Sequence, residues 1–148
     1  MKQESQEFLL SLLEKQKNKE LLLKDLCARL PYGVKASTKV GGNITISLIG
    51  YDTIIGEDGD SYDISFITPY LFPLSSMTKE QEQELEELGL GYYVTCQDID
   101  DEGYMWDEKI FQMIPCTETD DWINANHFDY RGLIEKGLAI DATGLNIY

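Results

Sequence analysis

Apolar and polar positions along the chain follow two periods. Over residues 5–30, Phe8, Leu9, Leu12 and Leu13 recur at helical spacing, as do Leu22, Leu23, Leu26, Cys27 and Leu30. The polar run Glu14–Glu20 between them either faces solvent or breaks the helix, with Asn18 placed to cap a second segment. Pro31 stops the helix, because proline disfavours helical geometry in the residue before it. Residues 43–55 switch to period two, with Ile44, Ile46 and Leu48 on one face and Thr45, Ser47 and Ile49 on the other. Tyr62, Ile64 and Phe66 repeat that pattern over 61–67. The Asp58-Gly59 step between them supplies the positive φ of a tight hairpin turn.

Pro69-Tyr70-Leu71-Phe72-Pro73 predicts an extended connector rather than a central strand, since its prolines remove ladder donors. Thr78 and Gln81 have capping-box spacing, and the helix they open ends near Leu88 with Gly89 as its stop. Residues 91–97 alternate again, and Lys109–Ile114 returns antiparallel across the acidic loop Asp98–Glu108. Thr119 caps a short helix to Asn126, Asp129 opens another to Lys136, and Leu138–Ile140 forms a last short strand. Strands in adjacent pairs with helices outside them predict an α+β domain. Its antiparallel sheet has about four or five strands, with N-terminal, central and C-terminal helices on one face. The whole chain, 1–148, reads as a single domain, with residues 1–18 as an N-terminal helical extension of it.

Charge changes the picture. The net charge is −15, and it is unevenly spread: residues 40–148 hold 4 bases against 22 acids. Such a field repels phosphate backbones and anionic membranes, which argues against direct nucleic-acid or membrane binding. No apolar run approaches the roughly 20 residues that cross a bilayer. The first residues lack the basic start and apolar middle of a signal peptide, so a cytoplasmic location is expected. Three scattered cysteines, Cys27, Cys96 and Cys116, do not make a disulfide framework.

Candidate chemistry is sparse. Asp98, Asp100 and Glu102 before Gly103 follow the opening order of a calcium loop, but the twelfth position is Lys109 instead of a glutamate. They are weak metal candidates, and a solvated hairpin tip is the competing reading. The lone histidine, His127, forms a candidate nucleophile pair with Cys116 or a zinc set with Cys96 and Cys116; neither has supporting spacing. His127 and Asp129 otherwise hydrogen-bond around a helix junction, and Arg131 makes a structural ion pair. No catalytic residue and no cofactor is assigned. Tyr104, Trp106 and Trp122 are aromatic candidates for an interface, alongside His127, Asp129 and Arg131.

Three stretches, Leu21–Val34, Pro69–Thr78 and Trp122–Ala139 (centred on His127-Phe128-Asp129-Tyr130-Arg131-Gly132), together resemble a group of small uncharacterised single-domain proteins from gut Bacteroidales. Members are often encoded in phage or mobile-element regions. The resemblance covers about a third of the chain and implies a bacterial or phage source; it transfers no activity, cofactor or site residue. The expectation is therefore a non-enzymatic module that binds a protein partner or self-associates. Two alternatives stand beside it. One is an acidic decoy that occupies a nucleic-acid-binding surface of another protein. The other is a hydrolase using carboxylates or a divalent ion.

Overall fold

The chain begins with one long helix, α1 (Lys2–Arg29), in the computed structural model, which describes residues 2–148. Asn18 does not interrupt it. Lys, Glu and Gln are good helix formers, and the polar run is stitched by the Gln16–Glu20 hydrogen bond one turn apart. A 3-10 turn at Leu30–Tyr32 follows, with Pro31 where the helix was expected to stop.

Two compact units can be distinguished, residues 2–74 with 124–148, and residues 75–123. The first is built on a sheet in which β1 (Val34–Thr38), β2 (Asn43–Ile49), β3 (Thr53–Gly56) and β4 (Ser61–Asp63) form an antiparallel meander. β5 (Ile67–Pro73) returns beside β1, and the sheet is completed by β8 (Phe128–Asp129) and β9 (Ile140–Asp141), both parallel to β5. The order is β4-β3-β2-β1-β5-β8, with β9 also on β5. Residues 43–55, expected as one strand, are two, and the strand expected over 61–67 stops at Asp63, where the Asp63 side chain caps a 3-10 turn at Ile64–Phe66. The chain turns at Gly50–Asp52, and a register shift near Ser47 lets its hydroxyl reach the carbonyls of Ile55 and Gly56.

The structure corrects three further expectations. The sheet has seven strands rather than four or five, and the α+β class stands. The proline-flanked segment is strand β5, inside the sheet rather than a connector on it. Pro69 is tolerated because β5 changes partners there. It pairs with β1 through Ile67, Thr68 and Pro69, and with β9 and β8 through Tyr70 to Pro73. The helix expected from Asp129 to Lys136 is a series of turns. Gly132 and Gly137 both have positive φ, and the Asp129 carboxylate takes the Leu133 and Ile134 N–H groups that a helix would have used elsewhere.

The core of this unit is apolar. Leu22 and Leu26 of α1 pack with Val34, Ala36, Ile44, Ile46, Ile54, Ile64, Ile67 and Leu71 from the sheet region, and with Leu133 and Ala139 from the C-terminal turns. Only the last third of α1 takes part. Its residues up to Lys17 are exposed.

The second unit holds α2 (Lys79–Glu87), β6 (Gly91–Ile99), β7 (Met105–Met113) and most of α3 (Thr117–Ala125). The capping box at α2 is present in full, with Thr78 Oγ1 accepting from Gln81 N and Gln81 Oε1 accepting from Thr78 N. Gly89 follows at φ +75°. α3 starts two residues before Thr119, whose buried hydroxyl donates to Ile114 O and does not act as a cap. β6 and β7 form an isolated antiparallel ribbon, paired from Gly91–Met113 out to Ile99–Met105. The expected eleven-residue acidic loop is thereby mostly strand, and the turn itself is Asp100–Tyr104.

Candidate functional site

The base of the ribbon is fastened and its outer half is bare. Tyr93 and Phe111 meet edge to face at 5.1 Å, and the Tyr93 hydroxyl donates to Glu82 of α2 at 3.0 Å. The Phe111 ring lies over Gly91 so closely that a Cβ there would stand 2.1 Å from Cζ. Glycine is what allows the ring to close the first rung. Lys109 Nζ caps the other side of the Tyr93 ring at 4.4 Å.

Further out, register places Tyr92, Val94, Cys96 and Asp98 on one face with Gln112, Ile110, Glu108 and Trp106. The opposite face carries Thr95, Gln97 and Ile99 with Lys109, Asp107 and Met105. Every residue from Thr95 to Ile110 is exposed. At the tip, Ile99, Tyr104, Met105 and Trp106 are 42–68% exposed. Six acids and no base lie between Asp98 and Glu108. The tip therefore carries Trp106 on one face with Asp98 and Glu108, and Ile99 and Met105 on the other with Asp107.

The carboxylates at the turn serve the backbone. Asp100 Oδ1 accepts from Glu102 N at 3.0 Å and Tyr104 N at 2.8 Å, and Asp98 Oδ1 accepts from Ile99 N at 2.8 Å. Gly103 at φ +86° closes the turn. Among the described residues, no group of three or more His, Cys, Asp and Glu side chains is arranged to hold a metal ion; Asp98, Asp100 and Glu102 form no such set, nor do Cys96, Cys116 and His127. Cys116 Sγ instead sits 3.2 Å from Thr119 Oγ1. Trp122 is buried, with Nε1 donating to Glu84 at 3.3 Å.

The other interface candidates lie in the first unit and point inward. Asp25 is fully buried and accepts from two guanidinium groups, Arg29 Nε and Arg131 Nη1, each at 2.8 Å. Arg29 Nη2 also donates to Phe128 O at 2.6 Å. The Tyr130 ring stands by both cations, 4.5 Å from Arg131 and 5.6 Å from Arg29. Asp129 is occupied by the turn that follows it. The spacing of Asp25 and Arg29, one helical turn apart, signalled half of this triad; Arg131 lies 106 residues away and gave no such signal.

His127 has φ +64°, and its ring stacks on Tyr148 at 3.5 Å and 13°. Burial pushes its pKa down to about 4, and the nearby Arg29 and Lys35 cations reinforce the shift. The ring is neutral at neutral pH. The Tyr148 hydroxyl accepts from Lys35 N at 3.1 Å and donates to Tyr70 O at 3.0 Å, so the chain end is buckled onto β1 and β5. Arg29 Nη1, Asn124 Oδ1 and His127 Nδ1 are buried and find no hydrogen-bond partner among the described residues.

Two surfaces of the first unit stand out as open. One is the groove of about 660 Å³ lined by Leu12, Leu22, Ile64, Ile67 and Leu138, with Lys15, Lys19 and Lys39 also in its walls. The other is the exposed half of α1 that leads into it. No helix among the described residues is long and apolar enough to cross a membrane. No family model, curated protein or solved structure matches the chain.

Proposed function

We propose that the chain is a non-enzymatic protein-interaction module of phage or mobile-element origin, acting in the cytoplasm, and that the tip of the β6–β7 ribbon is its contact element. The supporting observation is the exposure of Ile99, Tyr104, Met105 and Trp106 at one end of a two-stranded ribbon, on a segment that also carries six acids. Tryptophan and tyrosine dominate interface hot spots because they bury large area at low entropy cost. Large exposed apolar side chains gathered at one ribbon end mark a binding surface more often than singly scattered ones do.

The charge defines the partner. A protein that accepts this tip offers an apolar cleft with lysine or arginine at its rim, and nucleic acid is excluded by repulsion. The same charge supports a second reading, in which the basic rim belongs to a nucleic-acid-binding protein and the ribbon acts as a decoy for its ligand.

The test is retention of partners from a bacterial lysate on the immobilised chain, washed at low and at high salt, beside the double variant Tyr104→Ser/Trp106→Ser. A partner held through high salt and lost in the variant supports the apolar-centred module. A nucleic-acid-binding partner held only at low salt supports the decoy, since screening removes attraction between exposed charges. Equal retention by the variant and the parent chain removes the ribbon tip as the contact element.

A further inference from the structure

We infer that the exposed half of α1 is a homodimerisation surface, and that a second copy of this chain packs on it as an antiparallel helix. The starting point is a stripe with nothing against it. Phe8, Leu9, Leu12 and Leu13 are 46–64% exposed. At roughly 100° per residue they fall within about 140° of one another on the helix surface. The same stripe runs directly into the wall of the groove, where Leu12 is followed by Lys15, Gln16, Lys19 and Leu22.

The occupant follows from the pattern of charge. Glu4 and Lys15 flank one side of the stripe, and Lys2 and Glu20 lie in line with it, beyond its two ends. An antiparallel pair centred near residues 10–11 sets Phe8 and Leu9 of one copy against Leu12 and Leu13 of its partner. It also brings each Glu4 toward the other copy's Lys15, and each Lys2 toward the other's Glu20. Both charge pairs are then formed twice by the same sequence, as a two-fold interface requires. A parallel pair sets Lys15 beside Lys15 and Glu4 beside Glu4, and loses both.

The groove agrees with this register. Helix residues 13–19 of one copy lie beside residues 3–9 of the other, so the partner's Phe8 and Glu4 reach the groove mouth. Its walls there are Ile64, Ile67 and Leu138, with Lys15 and Lys39 nearby. Lys19 is already held by Asp52, which leaves Lys15 for the partner's carboxylate. The area is sufficient. Four side chains at this exposure offer roughly 400 Å² per copy, and the groove walls and lysine stems carry the pair past the total of about 1,000 Å² that a specific interface needs. The inference stands without the function proposed for the ribbon tip.

Sedimentation of the full chain from micromolar to hundreds of micromolar is the experiment. The parent chain is expected to pass from monomer to dimer over that range. Leu9→Glu/Leu13→Glu, on exposed positions and checked for unchanged helical circular dichroism, is expected to remain monomeric. The charge pair gives the register. Lys15→Glu alone weakens the dimer by roughly threefold to tenfold, and Glu4→Lys/Lys15→Glu restores it. A parent chain that is monomeric throughout overturns the inference. So does a dimer that survives the two glutamates, or a Lys15→Glu defect that Glu4→Lys does not repair.

Discussion

Asp25 and Trp106 are each misplaced by residue type alone: one is a carboxylate with no solvent exposure in the first unit, the other an indole open to water at the end of the ribbon in the second. The carboxylate is explained by what surrounds it. Two guanidinium groups donate to it, and one of them, Arg29, continues to the Phe128 carbonyl. The indole has no such account within its own unit, since the residues around it on the ribbon are exposed as well. A buried polar group with partners is part of the fold, whereas an exposed apolar cluster without them is free to serve recognition. The Asp25 triad thus serves the fold of the first unit, whereas the aromatics of the ribbon tip stay open to solvent.

The largest test of that contrast is Asp25→Asn. It leaves the buried Arg29 and the partly exposed Arg131 facing a neutral amide. Removing one partner of a buried ion pair costs about 3–5 kcal/mol, a large share of the roughly 5–15 kcal/mol that holds a domain folded. Urea unfolding should show the full loss. Arg131→Met should cost less, because the Arg131 side chain is partly exposed and Asp25 keeps Arg29. A loss below 1 kcal/mol for Asp25→Asn, on the order expected for a surface pair, means the triad is hydrated in solution.

Next in size is Gly91→Ala. The added methyl would meet Phe111 Cζ at 2.1 Å, so the ring must leave the base of the ribbon. Overpacking of this kind costs about 1–3 kcal/mol. Phe111→Leu in the same chain should recover part of it, read as the rate of proteolysis within residues 91–113. If Gly91→Ala is neutral, the ribbon base is looser than the Tyr93–Phe111 contact implies, and fastened base against bare tip is no longer a real distinction.

These two sites also mark how much was legible before the structure. Several short-range signals were read correctly. The Thr78–Gln81 capping box is one, and the α1 periodicity and the Asp58-Gly59 turn are others. Each depends on neighbours within a turn or two. Some failures depended on distant partners and others on local ambiguity. Pro69 looked incompatible with a strand because its ladder could not be foreseen to change sides at that residue. Asp129 looked like a helix start because aspartate caps helices, and it caps a turn instead. No element was read between Pro31 and Asn43, although Val34, Ala36 and Thr38 alternate with Lys35 and Ser37 as β1 requires. At the candidate site, the aromatics were visible and their exposure was not. Tyr104 and Trp106 lie on the ribbon tip while Trp122 is buried, and nothing local in the sequence separates them. The ribbon was underestimated because acids are depleted in ordinary half-buried strands, and this one is not half-buried.

His127 tests the inward-facing character of the first unit through pH. Its pKa falls from an ordinary 6.5 to about 4 in the folded chain, chiefly by burial, with Arg29 and Lys35 adding to the effect. The unfolded chain therefore takes up the proton first on acidification. The contribution to stability is complete above pH 6.5 and is lost as pH falls toward 4. His127→Asn keeps the positive φ, which asparagine tolerates, and removes the titration. The stability difference between parent and variant should shrink by about 1–2 kcal/mol across that window, discounted for partial exposure. A difference that stays constant means the ring is solvated, and the stack on Tyr148 is open.

The smallest expected effect on stability carries the most weight for function. Tyr104→Ser/Trp106→Ser removes two large aromatic side chains, yet neither is buried. The variant should unfold within about 0.5 kcal/mol of the parent chain, as surface substitutions do. Retention of a partner through these residues should meanwhile drop by at least tenfold, since truncating a hot-spot residue costs about 2 kcal/mol or more of binding. The two measurements have to be read together. A side chain that contributes to folding shows its effect in unfolding; one kept for recognition shows it only when the partner is present. Should the double variant lose as much stability as a core substitution, the tip is packed in solution, and the exposed cluster belongs to the fold after all. A stable variant that binds poorly places the cost of displaying Trp106 to water on the side of recognition.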